Sequence, residues 1–221
     1  MSKFTKEALQ VKHALISQGL ENPFFNCFKD IKQKKVLIAK YIQKIMKLLN
    51  LNLTNDSLSQ TPLRIARMYI EEIFSGLNYA NFPKITVIKN ITKINEMIII
   101  DDIIFHSICE HHFLVFEGKA TVAYIPEYVL IGLSKINRIV NFFSKRPQIQ
   151  ERLTRQILIA LQILLSTKNV AVSIRARHFC VRARGIKDSE SNTKTLAFGG
   201  KFRDQLHLRN EFLQITNNSK L

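Results

Sequence analysis

The chain has 221 residues, 46% of them hydrophobic, enough to bury one substantial core. No apolar run approaches the about 20 residues that a bilayer span needs, since residues 157–165 are interrupted by Gln162, and the first 20 residues are amphipathic with Glu7 where a secretory leader would be apolar. A net charge of +16 invites a polyanionic partner, but Lys, Ile and Asn are used heavily, as in residues 32–35 and 90–95, so part of that charge lies on solvated faces.

In chain order, residues 3–18 predict a short amphipathic helix with Ala8, Val11 and Leu15 on one side, ended by Gly19. Residues 31–49 carry Val36, Ile38, Ile42, Ile45 and Leu49 at helical spacing. Thr61-Pro62 reads as an N-cap and first-turn proline for a third helix over residues 63–75, with Gly76 as its stop. Residues 84–88, 97–107 and 119–125 are β-branched and short, punctuated by Gly118 and Pro126, and predict an antiparallel sheet. Helices follow over residues 135–143 and from Pro147 to about residue 165. Strands are predicted over residues 170–176, 178–183 and 193–198, and a last helix over 204–215. The reading is an α-helical N-terminal region, residues 1–81, joined to an α+β core, residues 82–221.

The richest stretch chemically is Ser107-Ile108-Cys109-Glu110-His111-His112-Phe113. Cys109 and His112 form a C-x-x-H pair across a turn, and thiolate with imidazole is a ligand set that zinc prefers. His178 and Cys180 form an H-x-C pair; on a strand, residues two apart share a face, so both can enter one cavity. The plainer reading is packed or solvated Cys and His, but two clusters of matching ligand type favour metal. Spare imidazoles at His111 and His178 beside a Cys-His-Cys triad favour a catalytic ion over a structural one. Three cysteines without framework spacing fit a reducing cytosol, and Cys27 reads as structural or incidental.

Ser134 is a candidate N-cap, with Lys135 and Arg138 on the helix after it, and a helix N-terminus carrying two cations suits phosphate. The plainer reading is a solvated helix end. Arg184 follows Cys180 at strand spacing and would share its face, as would Arg182. Gln150 and Glu151 fall in the first turn of the helix opened by Pro147, where a carboxylate stays ionised and can accept the N1–H and 2-amino protons of guanine, though the plainer and commoner reading is an ordinary helix-start glutamate.

Long blocks then carry a resemblance. Cys109-Glu110-His111-His112, residues 118–126, Ile131-Gly132-Leu133-Ser134-Lys135-Ile136-Asn137-Arg138 and residues 146–154 resemble the signature blocks of type I GTP cyclohydrolase. So do Thr61-Pro62 with Arg64, and Ala183-Arg184-Gly185-Ile186, in register over nearly the whole chain. The resemblance implies the tunnelling fold, with sheets of several subunits joined into a barrel, and a homo-oligomer, a decamer with active sites between subunits, in the cytoplasm. It implies conversion of GTP and water to 7,8-dihydroneopterin triphosphate and formate, the entry to folate and other pterins. It implies Zn2+ held by Cys109, His112 and Cys180, proton transfer by His111 and His178 with Ser134 as a further candidate, and guanine gripped by Glu151 and Gln150. Ser134, Lys135, Arg138 and Arg184 would hold ribose and triphosphate, and Arg64 and Arg67 the phosphates of an adjoining subunit's ligand. The chain departs from the family pattern at Ser189-Glu190-Ser191-Asn192, Lys194, Arg175 and Arg177, which touches packing and surface charge.

Two other readings stay open. A basic nucleic-acid-binding module with a structural zinc would explain the charge, but interleaved aromatics and a recognition motif are missing from the sequence, so no nucleic-acid partner is expected. A related tunnelling-fold enzyme acting on another purine or pterin is the nearer rival.

Overall fold

The structure is a computed structural model that describes residues 4–23 and 30–218; Cys27 lies outside them. Helix α1 (Lys6–Ser17) begins where Thr5 accepts a hydrogen bond from the Ala8 N–H, and it buries Ala8, Val11 and Leu15 as its spacing predicts. Gly19 takes φ +65°, and the Leu20 N–H then reaches back to the Leu15 carbonyl, closing the helix with a left-handed cap. Helix α2 (Ile31–Leu48) opens on a capping box of Asp30 and Gln33. Its apolar stripe is largely uncovered: Val36, Ile45 and Leu49 are each more than half exposed, and only Met46 is buried.

A short helix absent from the sequence reading, α3 (Asp56–Ser59), precedes α4 (Thr61–Arg67). Thr61 is not the cap of α4; Gln60 takes that position without a side-chain bond, because the chain arrives already helical from α3. Pro62 sits in the first turn as expected. The helix continues as a wider π-type turn over Met68–Ile73.

Strands β1 (Val87–Lys89) and β4 (Val129–Ile131) form a small antiparallel ladder. The main sheet has the order β5-β2-β3-β6-β7, built from β2 (Ile98–Cys109), β3 (Val115–Tyr124), β5 (Pro147–Gln148), β6 (Val170–His178) and β7 (Thr193–Phe198). All its pairings are antiparallel except β2 with β5. Gly118, expected to punctuate the strands, lies inside β3, where a Cβ would come within 2.0 Å of the Arg175 carbonyl oxygen on β6. Glycine there permits close strand approach and does not end the strand.

Helix α5 (Leu133–Ser144) is preceded by Gly132, so Ser134 lies in its first turn and is not the N-cap. Pro147 does not open a helix either: it pairs with Ile108 in β5, and α6 (Gln150–Leu165) starts three residues later. Residues 178–183 are not a strand. The chain turns at His178 into α7 (Phe179–Arg182), so alternation along a strand does not place Cys180, Arg182 or Arg184. Helices α8 (Lys201–Asp204) and α9 (Leu206–Asn218) end the described chain. The result is an α+β fold: α1, α5 and α6 cover one face of the sheet in a single apolar core, and Phe202 and Phe212 close a smaller cluster around Ala123, Ile125 and Ala171.

Where α1 runs out, Glu21 and Asn22 enter this core to meet Arg146, whose side chain is fully enclosed. Its guanidinium donates to the Glu21 carboxylate at 2.7 Å and to Asn22 at 3.3 Å. It stacks within 5.0 Å of the Tyr79, Phe142 and Phe143 rings. Tyr79 donates its hydroxyl to the same carboxylate. Asn22 donates to the Pro147 carbonyl at 2.6 Å, and Gln156 donates to the Leu20 carbonyl at 2.7 Å, so the segment after α1 is tied to the residues that lead into the site.

Candidate metal centre and substrate site

The site forms where β2 ends in a turn and β6 changes into α7. Cys109, the last residue of β2, is buried, and its N–H donates to the Leu114 carbonyl at 2.8 Å. The Phe113 N–H returns to the Cys109 carbonyl at 2.9 Å, with Phe113 in the left-handed region at φ +52°. That tight turn presents Glu110, His111 and His112. Its base is held from below, since Cys109 pairs with Gln148 and the Glu110 N–H donates to the Gln148 carbonyl at 3.0 Å. In the first turn of α6, Arg152 donates to Glu110, to the Gln148 side chain and to the Pro147 carbonyl.

From the other side, α7 brings Cys180 to Cys109, with the two sulfurs 3.9 Å apart. One helical turn achieves what strand alternation was expected to do. Cys109, His178 and Cys180 each offer a ligand atom within 4.8 Å of the others. Burial raises the Cys180 pKa, and the adjacent Cys109 raises it further, while Arg184 pulls it down. Two sulfurs each 2.3 Å from a tetrahedral zinc ion stand about 3.8 Å apart. The observed separation and the soft donor set therefore fit zinc, and a divalent cation relieves the mutual repulsion of two thiolates.

His112 stands differently from the expected triad. It is exposed, and its Nε2 faces the Arg184 guanidinium at 3.0 Å. Arginine can only donate, so the lone pair of His112 lies on Nε2 and points at Arg184. His111 Nδ1 lies 3.7 Å from the Cys109 sulfur. His178 is half-buried with its ring stacked on Phe116, directly opposite in the β3–β6 register, at 4.5 Å between centroids and 2° between planes. Burial lowers its pKa, and the Glu151 carboxylate partly restores it.

Gln150 also differs from expectation. Proposed from sequence as a guanine contact, it is buried, and its side chain bonds to His178, to two backbone carbonyls and to Thr195. Glu151 next to it is exposed in the first turn of α6. Ser134 and Arg138 are exposed on the first turns of α5, with Lys135 half-buried between them. Arg138 lines a cavity of about 800 Å³ between α5 and β2 that reaches Ser107 and Ile108, just before Cys109. Asp101, Asp102, Glu72 and Lys145 line the same cavity, and Asp102 is paired with Lys119, so its charge is mixed. Arg64 and Arg67 are exposed on α4, and no described contact joins them to the two thiols.

Sequence reading missed Phe116 and Arg152. Phe116 becomes visible only once the register sets it opposite His178. The signal for Arg152 was Glu110, a carboxylate inside a thiol and imidazole cluster that calls for a cation. The departures at residues 189–192 make local structure: Asp188 accepts from the N–H groups of Glu190 and Ser191, and Asn192 accepts from Arg175.

A family model described as GTP cyclohydrolase I matches residues 38–217. The chain is 65% identical to the GTP cyclohydrolase 1 of Wigglesworthia glossinidia brevipalpis over 214 residues, covering 97% of this chain and 99% of that one. It is 58% identical to that of Sodalis glossinidius (strain morsitans), with 97% of each chain covered. It is 56% identical to that of Buchnera aphidicola subsp. Schizaphis graminum, with 96% and 98% covered.

Proposed function

The chain belongs to the GTP cyclohydrolase I family, and from that premise we propose how its residues divide the work of opening GTP. The activity is zinc-dependent hydrolysis of the purine's imidazole ring, giving 7,8-dihydroneopterin triphosphate and formate at the start of pterin synthesis. The observation that carries the assignment to this site is the convergence of Cys109, His178 and Cys180 within 4.8 Å.

Cys109 and Cys180 would hold the ion with His112, whose Nε2 lone pair is released when Arg184 turns to the triphosphate. When bound, zinc supplies a Lewis acid that makes water nucleophilic near neutral pH. His178 gives a proton to the ring nitrogen as water adds at C8, general-acid help worth about 10²–10⁴-fold. His111, close to Cys109, and Ser134 would be the carriers for the later ribose rearrangement and ring closure. Glu151 accepts the N1–H and 2-amino protons of guanine at the head of α6, where the helix dipole keeps it ionised.

Lys135, Arg138 and Arg184 grip the triphosphate, which takes no part in bond breaking, so they act by positioning. The exposed apolar stripe of α2 and the open edges of the sheet support assembly into a ring, a decamer in which Arg64 and Arg67 serve a neighbouring subunit's phosphates. No helix among the described residues is long and apolar enough to cross a membrane, and a cytoplasmic location is proposed.

Purified, zinc-loaded protein incubated with GTP should release formate and, after oxidation, a fluorescent pterin; intact GTP would overturn the assignment. A second reading has one observation in its favour: His178, not His112, lies nearest the thiols. Zinc content decides. Under the first reading His112→Ala loses the metal and His178→Ala keeps it, whereas the reverse result exchanges their roles.

A further inference from the structure

Gln150 is a polar side chain only 2% exposed, and every hydrogen-bonding group it has is occupied by protein. Its amide nitrogen lies 3.1 Å from the Ile174 carbonyl oxygen, 3.0 Å from that of Thr193 and 3.1 Å from the Thr195 hydroxyl. Carbonyl oxygens can only accept, so the nitrogen must face them; turning the amide over would set oxygen against two oxygens. The amide oxygen is therefore fixed on the opposite side, 2.9 Å from His178 Nε2. An oxygen that can only accept requires a proton on that nitrogen. Neutral His178 thus carries its hydrogen on Nε2 and its lone pair on Nδ1.

The surroundings make this a built device. Thr154 donates to the Gln150 carbonyl at 2.8 Å and its hydroxyl lies 2.6 Å from that of Thr195, which holds the first turn of α6 against β7. The Phe116 ring, parallel to His178, fixes the plane of the imidazole but is blind to which nitrogen is protonated. Stacking sets the ring and the amide sets the proton.

We propose that Gln150 is a positioning residue that holds His178 as the Nε2–H tautomer, so that Nδ1 is the nitrogen exchanging protons with substrate, and that it does not read guanine. This deepens the role given to His178 above and rests on it. Both polar atoms of the Gln150 side chain already face protein partners, the nitrogen three and the oxygen His178.

The test begins with the unaltered, zinc-loaded enzyme, its histidines labelled with 15N in the ring and His178 assigned by the signal lost in His178→Ala. At about pH 8, above the ordinary imidazole pKa of about 6.5, the ring-nitrogen shifts of His178 should show the proton on Nε2. A proton on Nδ1 overturns the proposal, and this measurement needs no Gln150 variant to fold. Gln150→Met keeps the size and removes the acceptor. It should mix the two tautomers and lower kcat about 10–100-fold, with KM for GTP nearly unchanged and zinc content retained. A rise in KM at full kcat would instead make Gln150 a guanine contact and overturn the proposal, as would an unchanged kcat. The His178→Ala enzyme separates the two readings: full turnover there removes the catalytic role of His178, whatever tautomer the imidazole holds.

Discussion

The two walls of the site are built to different standards. On the β6 side, His178 is stacked, hydrogen-bonded and half-buried, and Cys180 is set against a buried Cys109 by a single turn of helix. Ser134 and Arg138 on α5 are exposed, as are His112 and Arg184, which bond to each other across the thiol turn. The buried wall holds the two thiols and the imidazole proposed to give the first proton, groups that lose rate with small displacements. The exposed wall holds those proposed to grip a flexible triphosphate, where long cationic side chains can adapt.

The contrast breaks most readily at the thiols. Cys109→Ala or Cys180→Ala should lose zinc and turnover together while the far-ultraviolet circular dichroism stays that of the parent; full zinc content in either variant would show that the thiols are not the donors. Next is the support beneath them. Arg152→Ala strips Glu110 of its cation and the Gln148 side chain and Pro147 carbonyl of a donor. Because the pair is partly solvated, the loss in denaturant unfolding should be about 1–3 kcal/mol, below the about 3–5 expected for a fully buried pair.

Gly118→Ala drives a Cβ into the β6 backbone and should cost a similar about 1–3 kcal/mol, read as a lower thermal midpoint. The smallest effect on the chemical step should come from the exposed wall. Lys135→Ala and Arg138→Ala each remove a charge-assisted contact worth about 1.5–3 kcal/mol, raising KM for GTP about 10–100-fold with kcat nearly intact. A fall in kcat at saturating GTP as deep as that of His178→Ala would erase the distinction between the walls.

How far the sequence reaches follows the same division. Spacing and β-branched runs placed α1, α2, β7 and most of β2 and β6, and in α1 the spacing matches the face that is buried. Motif blocks brought Cys109 and Cys180 forward as partners. The route by which they meet was not legible: β-rich residues 178–183 look like strand, yet the tertiary site takes Phe179 to Arg182 as a helical turn. Local capping signals also misled at Thr61, Ser134 and Pro147, since each sits beside an element that supplies the boundary first: α3, Gly132 and the β2–β5 pairing. The resemblance brought Gln150 forward as a guanine contact, and nothing in its neighbours along the chain reports that His178, 28 positions later, closes on its amide oxygen.

The caged guanidinium of Arg146 has a consequence for the first 22 residues. Among the described residues the only carboxylate bonded to it is that of Glu21, and two of its nitrogens already lack a partner. A shortened chain beginning after Asn22 would therefore strand a positive charge among aromatic rings, four residues before the start of α6 and one from Pro147, which backs the thiol turn. The leading arm thus acts as a counterion delivered by the chain itself, and trimming it would be felt at the catalytic end of the molecule.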